Sequence, residues 1–180
     1  MLTFQEVRGR NILIDSNILI HYATEGFKDR SGNFLRVLKD NGNSLAASPI
    51  TAFEILCAET KPKIREKYFS FLNYIPTLQM EKGYFQNAAV LASEYRRVCN
   101  KTNIPPCDLM IGGAVLAHSF SEPKIMLLTT DRNDFCEPFW ITVAHLAVPY
   151  QDQQKIEANV YLLEFNINVL SPENHPPSEF

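Results

Sequence analysis

Two short runs of branched apolar residues, Asn11-Ile12-Leu13-Ile14 and Lys124-Ile125-Met126-Leu127-Leu128-Thr129, restrict most tightly what this chain can fold into. Both are too short for a buried helix and continuous in their hydrophobicity, the pattern of parallel strands covered by helices on both faces. Each is followed by an acid, Asp15 in the first case and Asp131 in the second. In open α/β sheets the carboxyl ends of the strands are where helix starts and loops converge and where ligands bind. Ser16 or Asn17 then suits the cap of a helix opening on Ile18, Leu19, Ile20 and Tyr22. An isolated Asp15 reads as a turn or capping residue; its recurrence as a pattern, an acid closing an apolar segment, makes it a candidate for chemistry.

A chain of 180 residues suits one domain with a sizeable core, with or without an appendage. Its 46% hydrophobic and 21% charged content is that of an ordinary globular protein. No stretch approaches the roughly eighteen uninterrupted apolar residues of a membrane span. The N-terminus lacks a basic region followed by an apolar one, so a cytoplasmic location is expected. The cysteines Cys57, Cys99, Cys107 and Cys136 are too scattered for a zinc pattern and are expected to be reduced, mostly as buried filler. The net charge of −3 argues against a nucleic-acid partner, but setting aside Asp15, Glu54, Asp108, Asp131 and Asp134 leaves the remainder at +2. A weakly basic body around one acidic pocket suits metal ions and a phosphate backbone, and plain surface acids would give the same balance.

Along the chain, Gly26 breaks the first helix, and Phe34, Leu35, Val37 and Leu38 recur at helical spacing within Asp29 to Asp40 before Asn41-Gly42-Asn43. Ser44 to Pro49 predicts a second strand, and Thr51-Ala52-Phe53-Glu54 opens a helix to about Glu59. Thr51 and Glu54 have the spacing of a capping box, a structural reading that competes for Glu54. Lys61, Lys63, Arg65 and Lys67 form the densest basic cluster, followed by Tyr68, Phe69 and Phe71. Cations interleaved with aromatics can grip a phosphate backbone and stack bases, although a solvated helix face with its aromatics in the core is the more common meaning. Ile75 to Leu78 resembles a short edge strand, where proline is tolerated.

Glu81 to Lys101 is the longest helical stretch, and Arg96, Arg97 and Lys101 near its end suit the negative pole of the helix dipole. Cys107 to His118 is apolar nearly all round, so it is expected as a buried helix. Gly112 and Gly113 inside it cost on the order of 1 kcal/mol each relative to alanine, which implies close approach of another backbone. Asp108 at its start also suits an N-cap. Asp131 and Asp134 follow the strand at 124 to 129, with turn and cap roles open to both. Ile141-Thr142-Val143 reads as a last core strand, Tyr150 to Lys155 as a polar break, and 160 to 170 as an added strand, a subunit contact or a short helix. The tail from Ser171 is Pro-rich and expected to be disordered at its end. The division that follows is a domain over 1–150 and a C-terminal extension over 151–180.

If the sheet is parallel, Asp15 and Asp131 end two strands while Glu54 and Asp108 begin two helices beside strand ends. Crowded carboxylates repel, and each is driven toward protonation unless a cation lies among them. Oxygen ligands without His or Cys suit a hard ion, Mg²⁺ or Mn²⁺, held together with substrate phosphate. The chemistry that follows is metal-assisted phosphodiester hydrolysis without a covalent nucleophile.

Ile14-Asp15-Ser16-Asn17, Thr51-Ala52-Phe53-Glu54-Ile55, Asp108-Leu109-Met110-Ile111-Gly112-Gly113-Ala114 and Leu128-Thr129-Thr130-Asp131-Arg132-Asn133-Asp134-Phe135 resemble, in order and spacing, the acidic motifs of PIN domains. The chain looks most like the VapC-type toxins of toxin–antitoxin pairs, over roughly residues 11 to 147. The resemblance implies a Rossmann-like three-layer α/β/α sandwich around a parallel sheet and a metal-dependent endoribonuclease. It carries over Asp15, Glu54, Asp108 and Asp131 as catalytic, metal-holding acids, with Ser16, Thr129 and Asp134 as supporting residues. A homodimer and a bound antitoxin are implied as well. Lys61, Lys63, Arg65, Lys67, Arg96 and Arg97 are the candidate RNA contacts. The family often ends near its last strand, whereas this chain continues for some thirty residues. The alternative is a module of the same fold that binds RNA or protein without cutting. A phosphatase with Asp15 as nucleophile ranks last, because the second acid it wants two residues on is Asn17 here.

Overall fold

The computed structural model describes residues 1–23, 33–120, 122–152 and 155–170. The expectations placed on Gly26, on a helix start at Asp29 and on the tail from Ser171 lie outside the described residues. The elements are β1 (Asn11–Ile14), α1 (Ser16–Ala23), α2 (Asn33–Asp40), β2 (Ser44–Ala47), α3 (Pro49–Ala58), α4 (Pro62–Tyr74), α5 (Lys82–Cys99), α6 (Pro106–Ala117), β3 (Ile125–Thr129), β4 (Trp140–Asp152), β5 (Lys155–Phe165) and a 3-10 turn (Ile167–Val169).

Alternation along the buried strands sorts the core into two layers. Ile12 and Ile14 of β1 and Met126 and Leu128 of β3 join Ile18 and Leu19 of α1, Leu35 and Leu38 of α2 and Tyr68 of α4 on one face. Leu13, Ile125 and Leu127 join Leu91 and Tyr95 of α5 and Ile111, Val115 and Leu116 of α6 on the other. Adjacent strand residues point to opposite faces, so runs without polar interruption require helices on both sides. The result is a three-layer α/β/α arrangement.

The sheet order is β2-β1-β3-β5-β4. β1 pairs parallel with β2 on one side and with β3 on the other, Ile14 lying opposite Ala47 and Leu128. β5 then runs antiparallel to β3, Leu127 opposite Leu163, and β4 antiparallel to β5. The central strands are therefore parallel, as expected, and the sheet as a whole is mixed. The expected short strand at 141–143 is part of a long β4 whose partner is β5. Of the three roles open to the segment from 160, its first part takes the strand role, between β3 and β4, and a cross-strand ion pair from Lys124 Nζ to Glu164 Oε1 at 3.1 Å helps seat it. The division at 150 falls inside β4, so the residues beyond it share the sheet and its core instead of flanking it. Pro76 and Thr77 add a single bridge alongside β2, with Ala47 N–H donating to Pro76 O at 3.0 Å.

The paired glycines have the role their cost implied. A Cβ at Gly113 would lie 2.4 Å from the carbonyl oxygen of Tyr84 and 2.7 Å from the nitrogen of Ala88, both backbone atoms of α5. Gly112 faces only the side-chain tip of Leu91, at 2.9 Å, and Trp140 at 3.4 Å. Glycine at 113 thus sets the distance between α5 and α6, and with it the seat of Asp108.

Candidate functional site

β1, β2 and β3 are parallel, so their carboxyl ends share one edge of the sheet. The chain leaves β1 toward β2 on one side and toward β3 on the other, and the crevice of such an open sheet lies at that reversal. Asp15 follows β1 and Asp131 follows β3, placing one acid on each side of it.

Asp15 is buried, with 1% of its surface exposed, and its backbone N–H extends the β1–β3 pairing by donating to Leu128 O at 3.0 Å. Its Oδ2 accepts from Thr129 Oγ1 and from Asn17 Nδ2, both at 2.7 Å. Its Oδ1 accepts the Ser16 N–H at 2.6 Å, with the Ser16 hydroxyl more distant at 3.4 Å. Thr129 Oγ1 in turn accepts from Asn17 Nδ2 and from the Asp131 N–H, each at 3.0 Å. Asn17 completes the loop by accepting the Thr130 N–H at 3.0 Å. A carboxylate oxygen has two lone pairs, so Oδ2 is filled by its two donors while Oδ1 keeps room for a further partner. Asn17 is a residue that the sequence offered only as a helix cap; here it joins the ends of β1 and β3.

Helix α3 starts earlier than its sequence suggested, and the capping box at Thr51 and Glu54 does not form. Ser48 is the cap, its hydroxyl accepting the Thr51 N–H at 2.9 Å, and Pro49 occupies the first turn. The reason is that proline's fixed φ suits a first helical position, which makes the preceding Ser48 the boundary. Thr51 is fully buried and donates instead to Ile14 O at 3.3 Å, tying α3 to the end of β1. Glu54 is thereby released from capping, and its Oε2 is buried without a hydrogen-bond partner. Asp108 is no cap either. Pro105 holds the cap position of α6 and Pro106 its first turn, leaving Asp108 three residues further in.

The electrostatics draw these acids together. Burial, followed by the charges of Asp15, Asp134, Glu54 and Asp131, pushes the Asp108 carboxyl up to about 7. Burial also raises Asp15 to about 6 with a contribution from Glu54, against the opposing hydrogen bonds from Thr129 and Ser16. Asp108 thus lies within Coulombic reach of the other four acids, and Asp15 within reach of Glu54. Among the described residues, however, no three Asp, Glu, His or Cys side chains are arranged to hold one metal ion. Asp131 Oδ1 is turned back to accept the Asn133 N–H at 2.9 Å and the Asp134 N–H at 3.4 Å. Asp134 is paired with Lys101 at 3.1 Å, and Lys101 also donates to Asn133 O. Cys107, which the sequence presented as filler, lies beside these acids; burial, then the Glu54 charge, pushes its thiol up to about 11.

Both raised carboxyls give a pH dependence with a definite sign. Between about pH 4 and 7 the folded chain retains protons that the unfolded chain has released, so these groups make stability fall as pH rises through that window. In a chelating buffer, Asp108→Asn removes its share, and the unfolding midpoint of the wild type relative to this variant is expected to drop by on the order of 3 °C from pH 5.5 to 8. A difference independent of pH would contradict the assignment.

The candidate RNA contacts are scattered. Lys61, Lys63, Arg65 and Lys67 are exposed at the start of α4, whereas Tyr68 is in the core and Phe69 is 49% exposed. Arg96 is exposed near the end of α5. The guanidinium of Arg97 is engaged by the buried Glu94, with Nε at 3.1 Å, and reaches Val169 O at 3.4 Å.

Neither a protein-family model nor a curated protein sequence matches the chain. Solved structures do. A chain of the toxin–antitoxin complex from Klebsiella pneumoniae superposes with a TM-score of 0.53 at 20% identity, over 71% of this chain and 92% of that one. A chain of VapBC2 from Rickettsia felis, solved bound to a DNA fragment from its promoter, gives 0.56 at 20% identity, over 69% and 90%. The fold is PIN-like. In this PIN-like fold Asp15 and Asp131 follow the carboxyl ends of two neighbouring parallel strands. No described helix is long and apolar enough to cross a membrane.

Proposed function

We propose that the chain is a Mg²⁺- or Mn²⁺-dependent endoribonuclease acting as the toxin of a toxin–antitoxin pair. The observation that carries the reading is a partly buried cluster of five acids faced by a single lysine among the described residues: Glu54 Oε2 lies buried without a partner, and burial together with four neighbouring carboxylates pushes Asp108 up to about 7. Natural cores seldom leave such groups uncompensated, and a hard divalent ion is the compensation that an all-oxygen donor set suits. Asp15, Glu54, Asp108 and Asp131 would hold it, Asp131 giving up its turn hydrogen bonds to do so.

The bound ion would supply an activated water and neutralise charge on the phosphate. The chain's own share is positioning. Ser16, Asn17 and Thr129 fix the Asp15 carboxylate and leave Oδ1 available. Lys101 fixes Asp134 beside the acids and partly offsets their charge. Asp108 and Asp15, at about 7 and 6, would have to give up their protons to hold the ion, so its binding would strengthen with pH. RNA is the proposed substrate, with the cations of α4 and Arg96 as contacts along its backbone. Phe53 on α3 and Phe69 and Tyr74 on α4 are 62%, 49% and 84% exposed, an apolar surface that fits a protein partner such as an antitoxin, and a homodimer is proposed with it.

The test is cleavage of a mixed RNA substrate by the purified chain. Turnover is expected with Mg²⁺ or Mn²⁺ and none with a chelator, and the same preparation should release protons on titration with Mn²⁺ at pH 6.5. Metal-independent cleavage would overturn the proposal. RNA retained at unchanged affinity with no turnover under any divalent metal would favour a non-catalytic binding module.

A further inference from the structure

Away from the acids, two free thiols face each other. Cys136 lies in the segment between β3 and β4, Cys99 ends α5, and their sulfurs are 2.7 Å apart. That is within about 0.7 Å of a covalent disulfide at ~2.05 Å. Both residues are partly exposed. Their supports are held independently of the sulfurs. Arg132 donates to Phe135 O, to Glu137 Oε1 at 3.0 Å and to Trp140 O at 2.8 Å, bracketing Cys136 on both sides. Asn100, at φ 52°, closes α5, and Lys101 immediately after it reaches Asn133 O and Asp134. Two thiols so placed have a high effective concentration toward each other, the condition that makes closure outrun other thiol reactions.

We propose that Cys99 and Cys136 form a redox modification site, closing reversibly to a disulfide under hydrogen peroxide and reopening under dithiols. Cys99 donates its proton to Glu137 O at 3.1 Å, while Cys136 donates to Cys99. Because Cys136 directs its S–H at the Cys99 sulfur, Cys99 is the sulfur that meets peroxide first and Cys136, already in line with it, is the one that resolves. In the first step the Cys99 sulfur, giving up its proton, attacks a peroxide oxygen; the O–O bond breaks, one water leaves and Cys99 becomes a sulfenic acid. In the second the Cys136 sulfur, giving up its proton, attacks Cys99; the S–O bond breaks and a second water leaves. Two thiols and one peroxide thus give one disulfide and two waters. The link joins residues 37 apart and fastens the segment carrying Asp131 and Asp134 to the end of α5.

The experiment uses the wild-type chain, metal-free, with stoichiometric hydrogen peroxide under native conditions. Of the four thiols, two are expected to disappear, peptide mapping without reductant should join the peptides of Cys99 and Cys136, and the unfolding midpoint should rise by roughly 5 °C or more, all reversed by dithiothreitol. Cys136→Ser should give no intramolecular link. Four thiols surviving the treatment, oxidation that stops at sulfenic acid, or a link through Cys57 or Cys107 would each overturn the proposal.

Discussion

Asp15→Asn is expected to lower metal-dependent RNA cleavage by about a hundred- to a thousandfold while leaving the fold intact. The side chain is the same size, so packing at the end of β1 is kept. It retains one acceptor oxygen where Asp15 has two, so either the Thr129 and Asn17 set or the Ser16 contact weakens, at about 1 kcal/mol. Against that, a carboxylate that burial holds near 6 is no longer charged inside the protein at neutral pH. The two effects oppose each other, so without metal at pH 8 the variant is expected to unfold at the wild-type temperature or slightly above it. The gain that divalent metal gives the wild type should be largely lost. Loss of activity without loss of stability is the signature of a residue retained for chemistry. Measuring turnover and thermal unfolding on one preparation separates the cases: full activity in a folded variant removes Asp15 from the site, and collapse of the fold makes it structural.

The second large effect lies in packing. Gly113→Ala places a methyl group against the Tyr84 carbonyl and the Ala88 nitrogen at 2.4 and 2.7 Å, and neither backbone atom can rotate away. Ordinarily Gly→Ala inside a helix stabilises by about 1 kcal/mol. Here α5 and α6 must separate, at a cost on the order of 3 kcal/mol or more, visible as a fall of roughly 6–12 °C in the unfolding midpoint. Gly112→Ala is the internal control. Its methyl meets the tip of Leu91, a side chain free to adjust, and the change should be no more than about 1 kcal/mol. Equal losses at the two positions would show that helix propensity, and not the approach of α5, governs the pair.

The strands that frame the site were legible because burial on both faces writes itself as an unbroken apolar run, as in Ile12 to Ile14 and Ile125 to Leu128. The glycine pair was legible because its cost demanded a close neighbour. The direction and order of the last strands were not. β4 and β5 alternate only in part, and nothing in the sequence of either states that β5 lies inside β4 in the sheet. The start of α3 was misplaced because Ser48-Pro49 reads as easily as the end of a strand as the beginning of a helix, and the Thr51 and Glu54 spacing offered a rival cap. Asn17, Lys101 and the Cys99–Cys136 pair depend on contacts across 112, 33 and 37 residues, which no local pattern records.

The position of β5 also fixes an order of events during synthesis. β3 leaves the ribosome with β1 available on one side and nothing on the other, because the neighbour that completes it lies beyond β4 in the chain. β4 emerges next; among the described strands its partner is β5, with Leu2 adding a single parallel bridge at Ala144. A nascent chain stopped between them therefore holds a bare β3 edge and a β4 that lacks its β5 partner, and a chaperone or a foreign strand could bind either. Once β5 emerges, a local hairpin with β4 forms cheaply and then seats against β3 as a unit. Asp15, Glu54, Asp108 and Asp131 belong to segments already translated by then, so completion of the sheet that seats them waits on a strand that follows all four in the chain.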